Sequence, residues 1–343
     1  MSKPVLAVTM GDIAGVGPEI IAKALRHEEL LEKCRPLIIG SERALRRGME
    51  FTQHFFPFQT IHPNEEIPID FTGVLLLNDE SFFDDHLPLA DIDASAGAAA
   101  YSWLDRGIQL ALQKKAAAVV TAPLNKEALN QAGRHYAGHT EILAEKTGTK
   151  DFCLMLIAGR FRVVHATCHV PISQVSSLLS RDRIVTVINL FDQALSRLDE
   201  ERPRIAVCAL NPHAGEGGLF GDEERRFILP AIEYCASEGV HVEGPFPSDS
   251  IFPQMVGGRY DGAVAMYHDQ GHIAFKLIHF GFDSLSKEWG KVSGVNVTLG
   301  LPIIRTSVDH GTAFDIAGSG KASEQSLLDA IDVALKLIDH RHG

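Results

Sequence analysis

Short apolar runs of strand character alternate along the chain with longer segments of helical period, and this alternation narrows the possible folds sharply. Val5–Met10, Pro36–Gly40, Gly73–Leu77, Ala116–Thr121, Phe152–Ile157, Phe161–Thr167, Arg204–Leu210 and Asp261–Tyr267 read as strands. Pro18–Leu25, Ala98–Leu112, Arg181–Leu198, Glu223–Ser237 and Ser326–Ile338 read as helices around them. Strands that are apolar throughout need covering on both faces, which predicts an α/β protein with a mostly parallel sheet and helices on both sides. Phe51–Phe71, rich in Phe, Pro and Ile without a clear period, reads as an ordered loop region. A chain of 343 residues has length for two domains. No flexible linker marks a boundary, so a two-domain division either shares a sheet or has the chain crossing more than once.

Composition removes several function classes. The net charge of −12 works against nucleic acid, whose binding needs a basic surface. No run approaches the roughly 18 consecutive apolar residues of a membrane span, and the N-terminus lacks the apolar core and cleavage site of a signal peptide. Five scattered cysteines without a C-x-x-C pair argue against a disulfide framework and suit a reducing cytoplasm.

Three of the 16 histidines share one context. Phe161–Thr167 leads into His169, Arg204–Leu210 into His213, and Asp261–Tyr267 into His268. Ligands of open α/β sheets bind outside the carboxyl ends of strands. Three neutral imidazoles there suit a divalent cation with open positions; zinc, magnesium, manganese, cobalt and nickel all remain open. Each histidine could equally cap a strand or satisfy a local hydrogen bond.

Several segments suit anions. The glycines of Gly11–Glu19 lie between a strand and a helix, where a backbone can approach a ligand or simply turn tightly. The G-x-G-x-x-G fingerprint is absent. Thr140, in Gly138-His139-Thr140-Glu141, reads as a helix cap or, with His139, as part of a phosphate site. Lys126, Lys276 and Arg305 flank apolar runs and could add positive charge. The small and hydroxyl residues of Gly294–Gly318 could wrap an adenosine, with Asp315 on the ribose favouring NAD over NADP. As composition alone, that stretch is a turn-rich loop.

The motifs Gly11–Glu19, Thr121–Lys126, Gly138–Glu141, His169, Asn211–Gly218, Gly244–Phe252, Tyr267–Gly271 and Asn296–Gly318 resemble, in order, those of the 4-hydroxythreonine-4-phosphate dehydrogenase family. The last is also similar to the adenosine-binding loop of isopropylmalate and isocitrate dehydrogenases. The resemblance implies a homodimer of two-domain subunits with the active site in the interdomain cleft. It implies a first domain of residues 1–125 with 300–343, and a second of 126–299 carrying the dimer interface.

The resemblance further implies that His169, His213 and His268 bind a divalent metal, with ligands shared across subunits. It places substrate on His139, Thr140, Lys276, Asn296 and Arg305, and NAD on Thr298, Gly300, His310, Gly311, Thr312 and Asp315. The implied reaction is oxidation of a secondary alcohol and decarboxylation of the resulting β-keto acid. Asp249, Lys276 and Asp269 are candidate acid/base groups.

Two departures bear on the substrate. Thr9-Met10-Gly11-Asp12 stands where the vitamin B6 enzymes more often have Thr-Pro-Gly-Glu. Phe280–Gly294 looks longer and carries Asp283, Lys287, Glu288 and Trp289. Both are similar to a second branch of the family. The first expectation is 4-phosphohydroxy-L-threonine, in pyridoxal phosphate synthesis. The alternatives are 4-phospho-D-threonate or 4-phospho-D-erythronate in sugar-acid breakdown, or a non-catalytic metal- or phosphate-binding protein.

Overall fold

The computed structural model describes residues 3–68, 70–83, 86–198, 201–283 and 288–339, with backbone alone for 282–283, 288–292 and 339. The chain forms two compact units, one running to Thr149 and resuming at Leu301, the other Lys150–Gly300. The chain therefore crosses twice. Strands β1 to β5 are Val5–Thr9, Arg35–Gly40, Phe58–Ile61, Val74–Asn78 and Ala118–Thr121. Strands β6 to β10 are Cys153–Ala158, Phe161–His165, Ile205–Cys208, Val242–Phe246 and Gly262–Ala265. Phe280–Asp283 (β11) and Glu288–Val292 (β12) pair as an antiparallel ribbon, followed by Val295–Leu299 (β13) and Ile304–Val308 (β14).

In the first unit the strand order is β3-β4-β2-β1-β5-β14, and every pairing is parallel. In the second it is β13-β6-β7-β10-β8-β9, with β6 antiparallel to both neighbours and the rest parallel. The predicted α/β class holds. β6 and β7 turn directly through Gly159, at φ 57, a hairpin rather than a helical crossover.

Three local readings change. Phe51–Phe71 is not all loop: Phe58–Ile61 is the short edge strand β3. Gly294–Gly318 contains two paired strands, VNVTL and IRTSV, whose β-branched Val, Ile and Thr suit a pleat. The first crossover comes after Thr149 rather than 125. Leu129, Ile142 and Leu143 pack with Leu104, Ile108 and Val119, which ties 126–149 to the first unit. In the second unit Phe161, Phe252 and Phe275 centre a core with Leu156, Val163 and Ile251. Among the described residues no helix is long and apolar enough to cross a membrane.

Candidate functional site

Each of the three histidines follows a parallel strand, as expected: β7 ends at His165, β8 at Cys208 and β10 at Ala265. His268 opens the helix His268–His279 and His169 lies in the loop after β7, their ring centroids 5.8 Å apart. The Asp269 carboxylate lies 2.6 Å from Nδ1 of His268. An Nδ1–H donated there fixes the tautomer and leaves Nε2 with the lone pair a metal needs.

Two further imidazoles close around this pair, and sequence reasoning missed both because they look like core. His272 stacks on His268 at 3.6 Å between centroids and 11° between planes, and His165 lies 4.7 Å from His272. His272 Nδ1 is held by the backbone carbonyl of His268 at 3.0 Å. Burial lowers the His165 pKa to about 3, and the neighbouring His272 adds to the shift. Burial, then the charge of His268, lowers that of His272 to about 4. Both are neutral rings near pH 7. Gly271 makes room for them: a Cβ there would stand 2.4 Å from His165 Nε2.

His213 sits apart from that cluster, exposed and 6.3 Å from the Phe220 ring. It begins a left-handed run in which His213, Ala214 and Glu216 take φ of 53, 54 and 43. Such backbone persists only where its surroundings enforce it. Buried Glu224 does so at the loop entrance, accepting the N–H groups of Leu210 (2.9 Å) and Asn211 (2.7 Å). Among the described residues no three His, Cys, Asp or Glu side chains stand together as a metal site. The chain thus presents an imidazole pair whose donor chemistry fits a divalent cation, and a third imidazole held separately.

The helix with His268 also carries His272 and Lys276, four and eight residues on and hence on one face. Lys276 is exposed, its Nζ 5.0 Å from the centre of the Phe280 ring. Asp249 is exposed in the first turn of Ser248–Val256. Asn296 and Thr298 lie within β13, Thr298 buried, and Gly300 follows with no room for a side chain against Asp151 O. Lys287 lies outside the described residues, as do the side chains of Asp283, Glu288 and Trp289.

The first unit gathers positive charge. Arg305, buried in β14, donates from Nη2 to Thr121 Oγ1 at 2.8 Å. Burial lowers its pKa to about 9, opposed by the Glu141 carboxylate. His139 opens the helix His139–Thr147; burial, then the charges of Arg305 and Lys126, hold its pKa well below 6.5. Thr140 is not the cap, because it lies inside the helix. Gly138 occupies the cap position and offers no side-chain hydrogen bond, so the first turn keeps its affinity for an anion.

The Gly11–Glu19 loop is a tight turn rather than an anion cradle. It is buried, and its amides are used internally: Asp12 N–H on Pro123 O, Ala14 N–H on Asp12 Oδ1, Val16 N–H on Thr312 O. Burial raises the Asp12 pKa to about 6. Met10 fits because residue 40 is glycine; a Cβ there would meet the Met10 side chain at 2.7 Å. The outer loop is more open. Nε2 of His310 is buried with no hydrogen-bond partner, Gly311 faces open space, and Asp315 is exposed. An orphaned buried nitrogen beside open backbone fits a polar cofactor.

The model of the family "pyridoxal phosphate biosynthetic protein PdxA" matches residues 32–334. The chain is similar to D-threonate 4-phosphate dehydrogenase of Cupriavidus necator, 42% identical over 98% of both chains. It is also similar to 4-hydroxythreonine-4-phosphate dehydrogenase of Desulfosudis oleivorans, 44% identical over 97% of this chain and 96% of that one. A crystal structure of 4-hydroxythreonine-4-phosphate dehydrogenase from Klebsiella pneumoniae matches with TM-score 0.80 and 43% identity, covering 98% of this chain and all 100% of that one. A β-decarboxylating dehydrogenase from Thermococcus kodakarensis, 14% identical with TM-score 0.53 over 98% of this chain and 84% of that one, shares the fold alone. The chain is an oxidoreductase that acts on a CH–OH group, and it belongs to the pyridoxal phosphate biosynthetic protein PdxA family.

Proposed function

We propose that this chain is an NAD- and divalent-metal-dependent dehydrogenase that oxidises and decarboxylates D-threonate 4-phosphate. The observation that carries the reading is the grouping of Arg305, Lys126 and the uncapped helix start at His139, a match for a phosphate monoester. The substrate comes from the Cupriavidus relative and from others named for D-threonate 4-phosphate at 42% identity or more. More of these relatives are named for D-threonate 4-phosphate than for 4-hydroxythreonine 4-phosphate, the name of the Desulfosudis relative, and that number supports the choice.

NAD, when bound, would supply the acceptor for the hydride of the carbon β to the carboxylate, and a divalent cation held by His169 and His268 would supply Lewis-acid stabilisation of negative charge on that carbon's oxygen. The chain's own residues position and move protons. Arg305, Lys126, His139 and Thr140 bind the phosphate far from the reacting carbon, so binding energy becomes orientation. His169 and His268 present imidazoles to the cation, and Asp269 holds the ring of His268 through Nδ1. Lys276, on the face of the helix shared with His268, is the proton-transfer group. Loss of carbon dioxide from the oxidised acid, with a proton delivered by Lys276 to the carbon that carried the carboxylate, leaves dihydroxyacetone phosphate.

The same helix supports a homodimer. Ile273, Leu277 and Ile278 are 66%, 82% and 48% exposed, an apolar cluster on one helix that a second copy would cover. A second copy covers them and completes the metal ligands with an imidazole from across the interface. In the test of this function, D-threonate 4-phosphate yields NADH and dihydroxyacetone phosphate in equal amounts, and unphosphorylated D-threonate turns over poorly. Equal kcat/KM for the two acids would contradict it.

A further inference from the structure

The segment from Thr312 to Ala322 has no strand or helix of its own, yet the helix Gly17–Ala24 and the turn before it hold it at four points. Val16 N–H donates to Thr312 O at 3.0 Å, and Lys23 Nζ donates to Ala322 O at 2.7 Å. Between these anchors stands Glu19, 1% exposed. Its Oε1 accepts Gly318 N–H at 2.6 Å and its Oε2 accepts Gly320 N–H at 2.8 Å.

One carboxylate thus takes two backbone amides, one on each oxygen, a charge-assisted arrangement that a neutral side chain cannot reproduce. The two glycines are the residues that allow it. Gly318 and Gly320 have φ of 83 and 68, and a Cβ on Gly320 would stand 2.3 Å from Phe51 O. On the other side, Gly15 lets the turn close on Thr312, where a Cβ would meet the threonine carbonyl at 2.5 Å. The Arg47 guanidinium, whose pKa burial lowers and the Glu19 charge partly restores, donates to the carbonyls of Ile13, Leu87 and Pro88. The carboxylate is therefore part of a fixed framework, and Asp315 lies within the span it tethers.

We propose that Glu19 is a positioning residue for dinucleotide recognition. Its carboxylate sets the 310–320 segment in the shape that receives the adenosine half of the cofactor, without touching the cofactor itself. This rests on the reading of His310, Gly311, Thr312 and Asp315 as the NAD site. A residue that only fastened the fold would, on substitution, lower global stability and leave cofactor affinity untouched in the molecules that remain folded.

The test uses the full-length protein and its Glu19→Gln variant, which keeps the shape but loses one acceptor and the charge. NADH binding is titrated by fluorescence, and amide exchange is followed by mass spectrometry. The variant is expected to bind NADH about tenfold or more weakly, the scale of one lost charge-assisted hydrogen bond. Faster exchange is expected to be confined to 310–322, with KM for NAD rising more than kcat falls. An NADH affinity within about twofold of wild type, with unchanged exchange in that segment, overturns the proposal. Wild-type protein that binds no NADH overturns the NAD reading beneath it, a separate outcome. Should Glu19→Gln not fold, Lys23→Met removes the neighbouring anchor. A weakening of about threefold is then expected, and no change overturns the proposal.

Discussion

The imidazoles of His268 and His272, one helical turn apart, lie stacked with centroids 3.6 Å and planes 11° apart. His272 is in turn fixed by the His268 carbonyl at 3.0 Å. The ring of His268 is thereby held on its face by His272 and at Nδ1 by Asp269.

Removing that backing should loosen the proposed metal ligand without removing it. His272→Ala is expected to weaken divalent-metal binding about tenfold by calorimetry, the usual range for groups that orient a ligand. His272→Phe keeps a flat ring and should recover most of the loss. Equal affinity in His272→Ala and wild type would show that the stack does not orient His268.

Gly271→Ala tests the packing beneath the cluster. Alanine gains about 1 kcal/mol over glycine inside a helix. Here its Cβ would meet His165 Nε2 at 2.4 Å and Val163 Cγ2 at 2.9 Å, both in fixed surroundings. Overpacking of this kind costs about 1–3 kcal/mol, so the variant should be less stable in urea. A stabilised variant would mean the cluster yields easily.

Stability of the metal-free protein should fall as pH falls. The folded pKa values of His139, His165 and His272 lie below the ordinary 6.5. Below that pH the unfolded chain takes up protons that the folded chain refuses, down to about 4 for His272 and about 3 for His165. Asp12 acts oppositely, because its folded pKa of about 6 lies above 3.8 and its proton favours the folded state in that window. His310 is lowered as well and Asp192 raised, so four depressed imidazoles outweigh two raised carboxyls. Each of the buried pair, His165 and His272, removes up to about 2 kcal/mol between about pH 6.5 and 5. Thermal unfolding across that range checks the trend, and a midpoint that rises on acidification would contradict it.

Leu277→Glu places a charge on the exposed apolar face of the helix His268–His279. In sedimentation the variant should be a monomer while wild type is a dimer, since an unpaired charge in an interface costs several kcal/mol (about 3 or more). Metal affinity should fall with it if, as proposed, the ligands come from both subunits. A monomeric variant that binds metal as tightly as wild type would refute shared ligation.

The α/β class was legible because strand-end signals are local: His169, His213 and His268 each follow an apolar run, and those runs are β7, β8 and β10. Which of the three meet was not legible, since that depends on loop paths; the structure pairs His169 with His268 and holds His213 apart in a left-handed run. His165 and His272 gave no signal because a buried histidine within an apolar pattern looks like core. Glu19 was hidden for another reason: its two acceptor contacts lie 299 and 301 residues away in sequence. β13 and β14 passed for a ligand loop because their partner strands are also far away in sequence.

The most direct test is side-by-side kinetics of NADH formation with D-threonate 4-phosphate, D-erythronate 4-phosphate and 4-phosphohydroxy-L-threonine, with divalent metal and after chelation. Metal-dependent turnover is predicted, with kcat/KM for D-threonate 4-phosphate at least about tenfold above the L-threonine derivative, or roughly 1.4 kcal/mol at the transition state. A preference for 4-phosphohydroxy-L-threonine would contradict the substrate assignment, and turnover unaffected by thorough chelation would contradict the metal.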